Sequence, residues 1–432
     1  MRESPSVPDH STTRNAIVAV IIVIIAHFAL LIGVTTPEKF YFDEVHYVPA
    51  ARQMLEPVMP SPMLNPMHPP LAKQLIALSI RAFGDGPLGW RYPAALFGSL
   101  AIVAIYLCGL ALFASRELAV AAALIAFFNQ MVFVQSRIAM LDIFALAFGL
   151  FAIAAFMHGF RKPRPHLWFA LAGLGFGLST GSKWSGLFPL AVCIVIVGTI
   201  RLMQGWGTQF ADANADDWYR PGRWPDFRYD HFAACFVLIP AVVYLATFVP
   251  LYGWSLRDLV EAQRRIFADN TTTAIAGHTS MSAWPSWPFL VRPVWYVFDK
   301  IGDDDRIAAV VFLGNPLVLW PALPALAVGL RDWIVTRRAD AFLILSFYFG
   351  PWLAWALLPR TLGFLYYYLP SATIASLALV YVLRRGNSPR WLLWAYVAIA
   401  GAGFAAMLPI SAAFVATSMA TFNRLMLFQN WI

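Results

Sequence analysis

The chain reads as an all-α integral membrane protein, a polytopic helical bundle of about eleven spans. Three observations predict this. Apolar residues make up 60% of the 432 residues and charged residues only 12%, against roughly 45–50% and about 25% in soluble domains. The excess falls in runs of about 20 residues, the length a helix needs to cross a bilayer. The runs lack the alternation of a membrane barrel, and backbone groups inside lipid must be satisfied within the segment, so the runs are helices.

The expected spans lie near 16–35, 91–113, 117–135, 140–159, 167–181, 183–203, 232–252, 307–330, 341–358, 363–383 and 391–413. The first follows Arg14 and is longer than the apolar part of a cleavable signal, so it reads as an uncleaved helix. The fifth is short, with a break expected where Gly181 meets Ser182 and Lys183. Cys108, Cys193 and Cys235 sit inside apolar runs and read as small buried hydrophobes rather than a disulfide framework. No repeat of the kind that builds inverted-repeat transporters is visible.

Short loops set the orientation. One set carries Arg116, Arg161, Lys162, Arg164, Arg331, Arg337, Arg338, Arg384, Arg385 and Arg390. The opposite set carries only Arg137, Lys183 and Arg360. That bias places the first set, and the N-terminus, in the cytoplasm. The net charge of +8 is therefore a topology signal, and no nucleic-acid partner is expected.

Two longer segments, 36–90 and 253–306, fall outside. Residues 71–83 read as an amphipathic helix on the membrane surface, with Lys73 and Arg81 two turns apart. Trp284, Trp287, Trp295 and Tyr296 suit an interfacial aromatic belt. Segment 204–231 is a polar loop with no visible chemistry.

The candidate chemistry clusters on the outer face. Asp43 and Glu44 are either a helix-starting acidic pair or a site with a general base. His68-Pro69-Pro70 opens the amphipathic helix, and His68 is a turn residue, a phosphate contact or a metal ligand. Arg137 is either a partner for Asp142 or a fork for an anion. Lys183 stands among glycines that permit close backbone approach, and Arg360 precedes three tyrosines. Single cations of this kind are often snorkelling interface residues, but three on one face favour an anion site. No glycine-rich nucleotide loop and no zinc-type Cys/His spacing is present, which excludes those chemistries.

Eight motifs then occur in order: FYFDEVHY, HPPLAKQL, WRYPAALFG, SRIAMLDIF, TGSKWSGLF, WPSWPFLVRPVWY, FLGNP and GFLYYYLPS. Together they resemble the protein O-mannosyltransferase family, polyprenyl-phosphate-sugar-dependent enzymes of the GT-C membrane fold. The resemblance runs from about residue 40 to 372 and continues weakly through the last helices. It implies that Asp43 is the catalytic base, with Glu44 contacting acceptor or orienting the site. It implies that Arg137, Lys183 and Arg360 surround the donor phosphate with His68 nearby. Arg91, Asp142, Trp287 and Tyr367 would serve the acceptor or sugar, the Trp-rich loop covering the acceptor groove.

Segment 253–306 is too short for the soluble insert of eukaryotic members, so the chain resembles the bacterial type: one GT-C domain with no soluble domain. Tyr366-Tyr367-Tyr368 replaces a Tyr-His-Tyr common in the family, so no role transfers from that histidine. Related aminoarabinose transferases carry Lys-Pro-Pro where this chain has His-Pro-Pro, which leans towards a protein acceptor. The expectation is an inner-membrane enzyme that moves a sugar, mannose first, from a polyprenyl-phosphate carrier to Ser or Thr of a translocated protein. A lipid or glycan acceptor is the alternative within enzymes, and a transporter or flippase the alternative outside them. The chemistry requires no cofactor, and a divalent ion (Mg or Mn) is compatible with it.

Overall fold

A computed structural model describes residues 10–56, 64–205, 224, 226–272, 279–302, 305–358, 363–386 and 388–432. Its helices, in chain order, are α1 (His10–Leu31), α2 (Glu44–Gln53), α3 (Leu71–Phe83), α4 (Pro87–Phe113), α5 (Arg116–Phe127), α6 (Gln130–Gln135), α7 (Asp142–Phe160), α8 (His166–Ser182) and α9 (Leu187–Gly205). There follow α10 (Tyr229–Ala233), α11 (Ile239–Ala246), α12 (Val249–Tyr252) and α13 (Leu256–Thr272). After a small hairpin come α14 (Pro316–Thr336), α15 (Ala339–Leu357), α16 (Leu369–Leu383), α17 (Arg390–Ser411) and α18 (Met419–Leu425). Among the described residues nine helices are long and apolar enough to cross a membrane. The other two expected spans are α8, of 17 residues, and the pair α5–α6, of 12 and 6. Most of segment 204–231 lies outside the described residues.

The expected span at 117–135 is broken at Phe128 and Asn129, and side-chain amides satisfy the freed backbone groups. The Asn129 side-chain oxygen accepts from the Met131 N–H, and its amide donates to Ala372 O. Asn315 donates to Phe128 O and Ala400 O while its oxygen caps α14 at Leu317 N. Gln130 donates to Phe404 O. Non-helical backbone is tolerated at membrane depth only where protein supplies partners in this way.

Two expectations fail outside the spans. Residues 307–312 are not the start of a helix. They form β2 (Arg306–Phe312), paired antiparallel with β1 (Val294–Ile301), and β2 also pairs with the two-residue β3 (Thr417–Ser418). The run RIAAVVF is β-branched and is buried at six successive positions, so apolarity alone could not separate strand from helix there. The belt reading of 284–296 also fails for Trp287 and Tyr296. Both are buried, Trp287 against Trp355 and Tyr367, and Tyr296 stacked on Phe42.

The cation-rich loops meet on one face. Arg390 pairs with Glu117, Arg161 donates to Leu112 O, and the Arg384 guanidinium lies over Phe113. The ends of α8, α15 and the start of α16 that carry the candidate site lie at the opposite ends of those helices. α7 and α8 pack closely because small residues face each other: a Cβ on Gly175 would stand 2.9 Å from the Ala152 Cβ.

Candidate active site

The site begins with a helix start that is not used for capping. Asp43 occupies the N-cap of α2, yet its carboxylate accepts no backbone N–H. Its hydrogen-bond partner is the Tyr47 hydroxyl, at 3.5 Å. The preceding Phe42 adopts a left-handed backbone, φ 50°, held by its stacking on Tyr296, and this turn aims Asp43 into a cavity of about 560 Å³. Such a volume is in the range of small-molecule sites. Asp43 is packed on most sides but keeps an open side to the cavity. Burial raises its pKa, opposed by the charge of Lys183 and reinforced by that of Asp142.

Glu44 takes the other side of the same helix start. It is fully buried and binds Arg91 through both oxygens, at 2.8 and 2.9 Å. It also accepts from the N–H groups of Tyr41 and Ala139. Arg91 spends its remaining donors on the carbonyls of Val34, Pro37 and Lys39. Glu44 and Arg91 do not line the cavity. They form a buried clamp joining the end of α1, the start of α2, the start of α4 and the turn before α7.

Lys183 lines the same cavity as Asp43. α8 ends at Ser182, where the fifth span was expected to break, and Lys183 is extended (φ −158°) before a single 3₁₀ turn, Trp184–Gly186. A Cβ on Gly186 would meet Ser179 and Thr180 backbone at 2.6 Å, so only glycine lets that turn fold back on α8. The ammonium pairs with both oxygens of Asp142, at 2.7 and 2.9 Å, and faces the rings of Tyr366 and Tyr367 at 5.2 and 5.4 Å. Asp142 thus belongs with Lys183 rather than with Arg137. Tyr367 lines the cavity and stacks flat on Trp355, centroids 4.3 Å apart. His68 lines it too.

Two further expected members stand outside the cavity wall, and a third is not among the described residues. Arg137 is buried between the rings of Phe133 and Phe414 and donates to Leu30 O, so it is not part of the cavity wall. Burial lowers its pKa to about 10, which still leaves it a cation at neutral pH. Trp287 packs behind Tyr367, supporting the wall rather than covering a groove. Arg360 lies outside the described residues.

The cavity also contains groups that sequence reasoning missed: His46, Tyr47, Asn65, Trp184, Trp355 and Asn270. His46 was present in the acidic motif, three residues after Asp43. Asn270 belongs to α13, which the sequence analysis did not see because Trp and Pro dominate its neighbours. The available signal was Leu259, Ala262 and Ile266, an i, i+3, i+7 stripe that packs on Phe248. The Asn270 amide donates to Met67 O, tying α13 to the segment before α3. Lys73 is not on an exposed face of α3, as expected, but buried, donating to the carbonyls of Asn65 and His68.

A carboxylate without a backbone partner and a paired ammonium thus line one large pocket, at the face opposite the cationic loops. Comparison with known proteins decides the family. Residues 85–251 match the model for dolichyl-phosphate-mannose-protein mannosyltransferase, and residues 255–431 match that for the C-terminal four-TMM region of protein-O-mannosyltransferase. The chain belongs to the protein O-mannosyltransferase family. As a member it is a membrane glycosyltransferase, which the transporter reading does not survive. It is 29% identical over 386 residues to a polyprenol-phosphate-mannose–protein mannosyltransferase of Mycolicibacterium smegmatis, covering 75% of this chain and 73% of that one. It is 28% identical to that of Corynebacterium glutamicum over 81% and 79%. The fold is that of the Saccharomyces cerevisiae Pmt1-Pmt2 complex bound to the sugar donor, with TM-score 0.77, 13% identity, and 97% and 93% of the chains covered. It is also similar to ArnT from Cupriavidus metallidurans bound to undecaprenyl phosphate, with TM-score 0.60, 15% identity, and 91% and 70% covered.

Proposed function

We propose that the chain transfers mannose from a polyprenyl-phosphate carrier to a Ser or Thr hydroxyl of a translocated protein, at the extracytoplasmic face of a bacterial inner membrane. The observation that carries this reading is the Asp43 carboxylate, free of capping duty, lining one cavity together with Lys183. Family membership supports the donor and acceptor classes, and the cationic loops on the opposite face support the orientation.

In the proposed step the acceptor hydroxyl oxygen attacks the anomeric carbon of the sugar. The C–O bond to phosphate breaks, and the hydroxyl proton passes to Asp43. A single displacement from the face opposite the phosphate inverts the anomeric configuration. Raised by burial, Asp43 is a stronger base than a solvated carboxylate. Lys183, steered by Asp142, meets the charge that develops on the leaving phosphate, and preorganised charges in a dry site are worth several kcal/mol. Arg360 is assigned to the same phosphate on the resemblance alone. Among the described residues no group of three His, Cys, Asp or Glu side chains converges. No step of the proposal is routed through a metal.

The test is turnover of a synthetic polyprenyl-phosphate mannose with a Ser/Thr peptide by the purified protein, with the product anomer read by NMR. Transfer to the peptide with inversion is expected. Transfer only to a lipid or glycan acceptor, or retention of configuration, would overturn the reading.

A further inference from the structure

The membrane face opposite the cavity holds a second built site. α15 and α16 both run between the two. Trp355 at one end of α15, and Tyr366 and Tyr367 just before α16, line the catalytic cavity. Arg338 and Asp340 start α15, and Arg384 and Arg385 follow α16. At 1.5 Å per residue, the 19 residues of α15 separate the two faces by about 28 Å.

Here guanidinium groups outnumber the carboxylates that hold them. Arg338 binds both oxygens of Asp340, at 3.0 and 2.7 Å, and Arg384 pairs with the same carboxylate. Arg385 binds Asp332 at 3.0 Å, and Arg331 lies 3.7 Å from it. The Tyr381 hydroxyl donates to Asp332 at 2.7 Å. Within these pairs four cations share two buried carboxylates. The carboxyl ends of α14 and α16 carry roughly half a negative charge each, and the amino end of α15 returns half a positive one. The cluster keeps a positive excess.

That excess faces space. An open cavity of about 640 Å³ is lined by Asp332, Thr336, Arg338, Tyr381, Arg384, Arg385 and Gly386. Orientation of the protein by loop charge needs cations at this face but no cavity and no convergence. Beside it, Leu330, Ile334 and Val335 of α14 are exposed, a strip that acyl chains would cover.

We propose that this basin binds the phosphate headgroup of an anionic membrane phospholipid, with the acyl chains along the exposed strip of α14. Arg338 and Arg385 line the basin with guanidinium charge suited to phosphate oxygens. Arg384, held over the rings of Phe113 and Tyr381, supplies the charge beneath. Basic pockets between membrane helices on the cytoplasmic side suit such headgroups.

The full chain, purified in detergent and exchanged into phosphatidylcholine nanodiscs, is titrated with short-chain phosphatidylglycerol or phosphatidylcholine, and bound lipid is counted by native mass spectrometry. Phosphatidylglycerol should be retained more tightly, with an advantage that falls as salt rises. R338Q/R385Q should weaken its binding about thirtyfold, the factor for about 2 kcal/mol at roughly 1 kcal/mol per cation. Equal retention of the two lipids by the native protein overturns the proposal, as does undiminished phosphatidylglycerol binding by a folded R338Q/R385Q. Displacement of the lipid by inorganic phosphate at matching concentration would also overturn it, in favour of a free-anion site. If the double variant does not fold, the native protein's lipid preference and its salt dependence still decide.

Discussion

Replacing Glu44 with Gln keeps the shape of the side chain and removes its charge. Arg91 then remains as a cation with no exposed surface, facing an amide that can return one acceptor in place of two. Of the four hydrogen bonds that end on Glu44, those from Arg91 Nε and NH2 are charge-assisted, and the backbone N–H groups of Tyr41 and Ala139 compete for what is left. Breaking a buried ion pair by removing one partner costs about 3–5 kcal/mol. With about 2.1 cal/mol/K of unfolding entropy per residue, a chain of this length loses roughly 3–6 °C of melting temperature. The measurement is thermal unfolding of the purified protein in detergent, followed by size-exclusion peak height, alongside turnover. E44Q should melt earlier, and E44Q/R91M should recover part of the loss, because the stranded charge is gone. A melting point of E44Q within 1 °C of the native protein would refute the clamp and return Glu44 to direct contact with substrate, as would single losses that simply add in the double variant.

Asp43→Asn should reduce turnover about 10²- to 10⁴-fold, the share of a general base, with folding intact; near-native turnover would remove Asp43 from that role. Because burial raises the Asp43 pKa, its basic form gathers as pH rises, so kcat/KM of the native enzyme should climb through a midpoint above the usual carboxylate range, and D43N should lack that limb. Lys183→Met should weaken donor use and also destabilise the fold by stranding Asp142; K183M/D142N should restore the melting temperature but not donor use, and recovery of both would show that Lys183 serves only Asp142. Asn315→Leu leaves the Phe128 carbonyl at the break without its side-chain donor and removes the α14 cap. It should cost about 2–4 kcal/mol, at 1–3 for an unsatisfied buried group and about 1 for a cap, read in the same melting assay.

The bundle was legible because twenty-residue apolar runs leave the backbone one choice, and loop cations marked its two faces. Asp43 and Lys183 stood out on the sparsely charged face, the family resemblance added His68 and Tyr367, and all four line one cavity. What could not be read were partnerships. Glu44 and Asp43 look alike in sequence, and only the position of Arg91 across the fold separates them. Arg137 looked like Lys183, a lone cation on the sparse face, but aromatic rings from two elements enclose it. The break at Asn129 was hidden because the residues that heal it, Asn129 itself and Asn315, read as part of the apolar run or are remote. The strand at 306–312 was hidden because full burial erases the alternation that marks a half-exposed strand.

The neighbouring acids at the start of α2 divide their labour by geometry. Successive side chains on a helix point about 100° apart, so one helix start sends Asp43 to the cavity and Glu44 to the wall. The order of the dipeptide therefore carries information. The wall position uses the full length of Glu, whose two oxygens both reach the Arg91 fork, while the cavity position holds the shorter acid. An inverted Glu-Asp pair has the same composition and charge, yet it would present a crowded base and a loosened anchor at once.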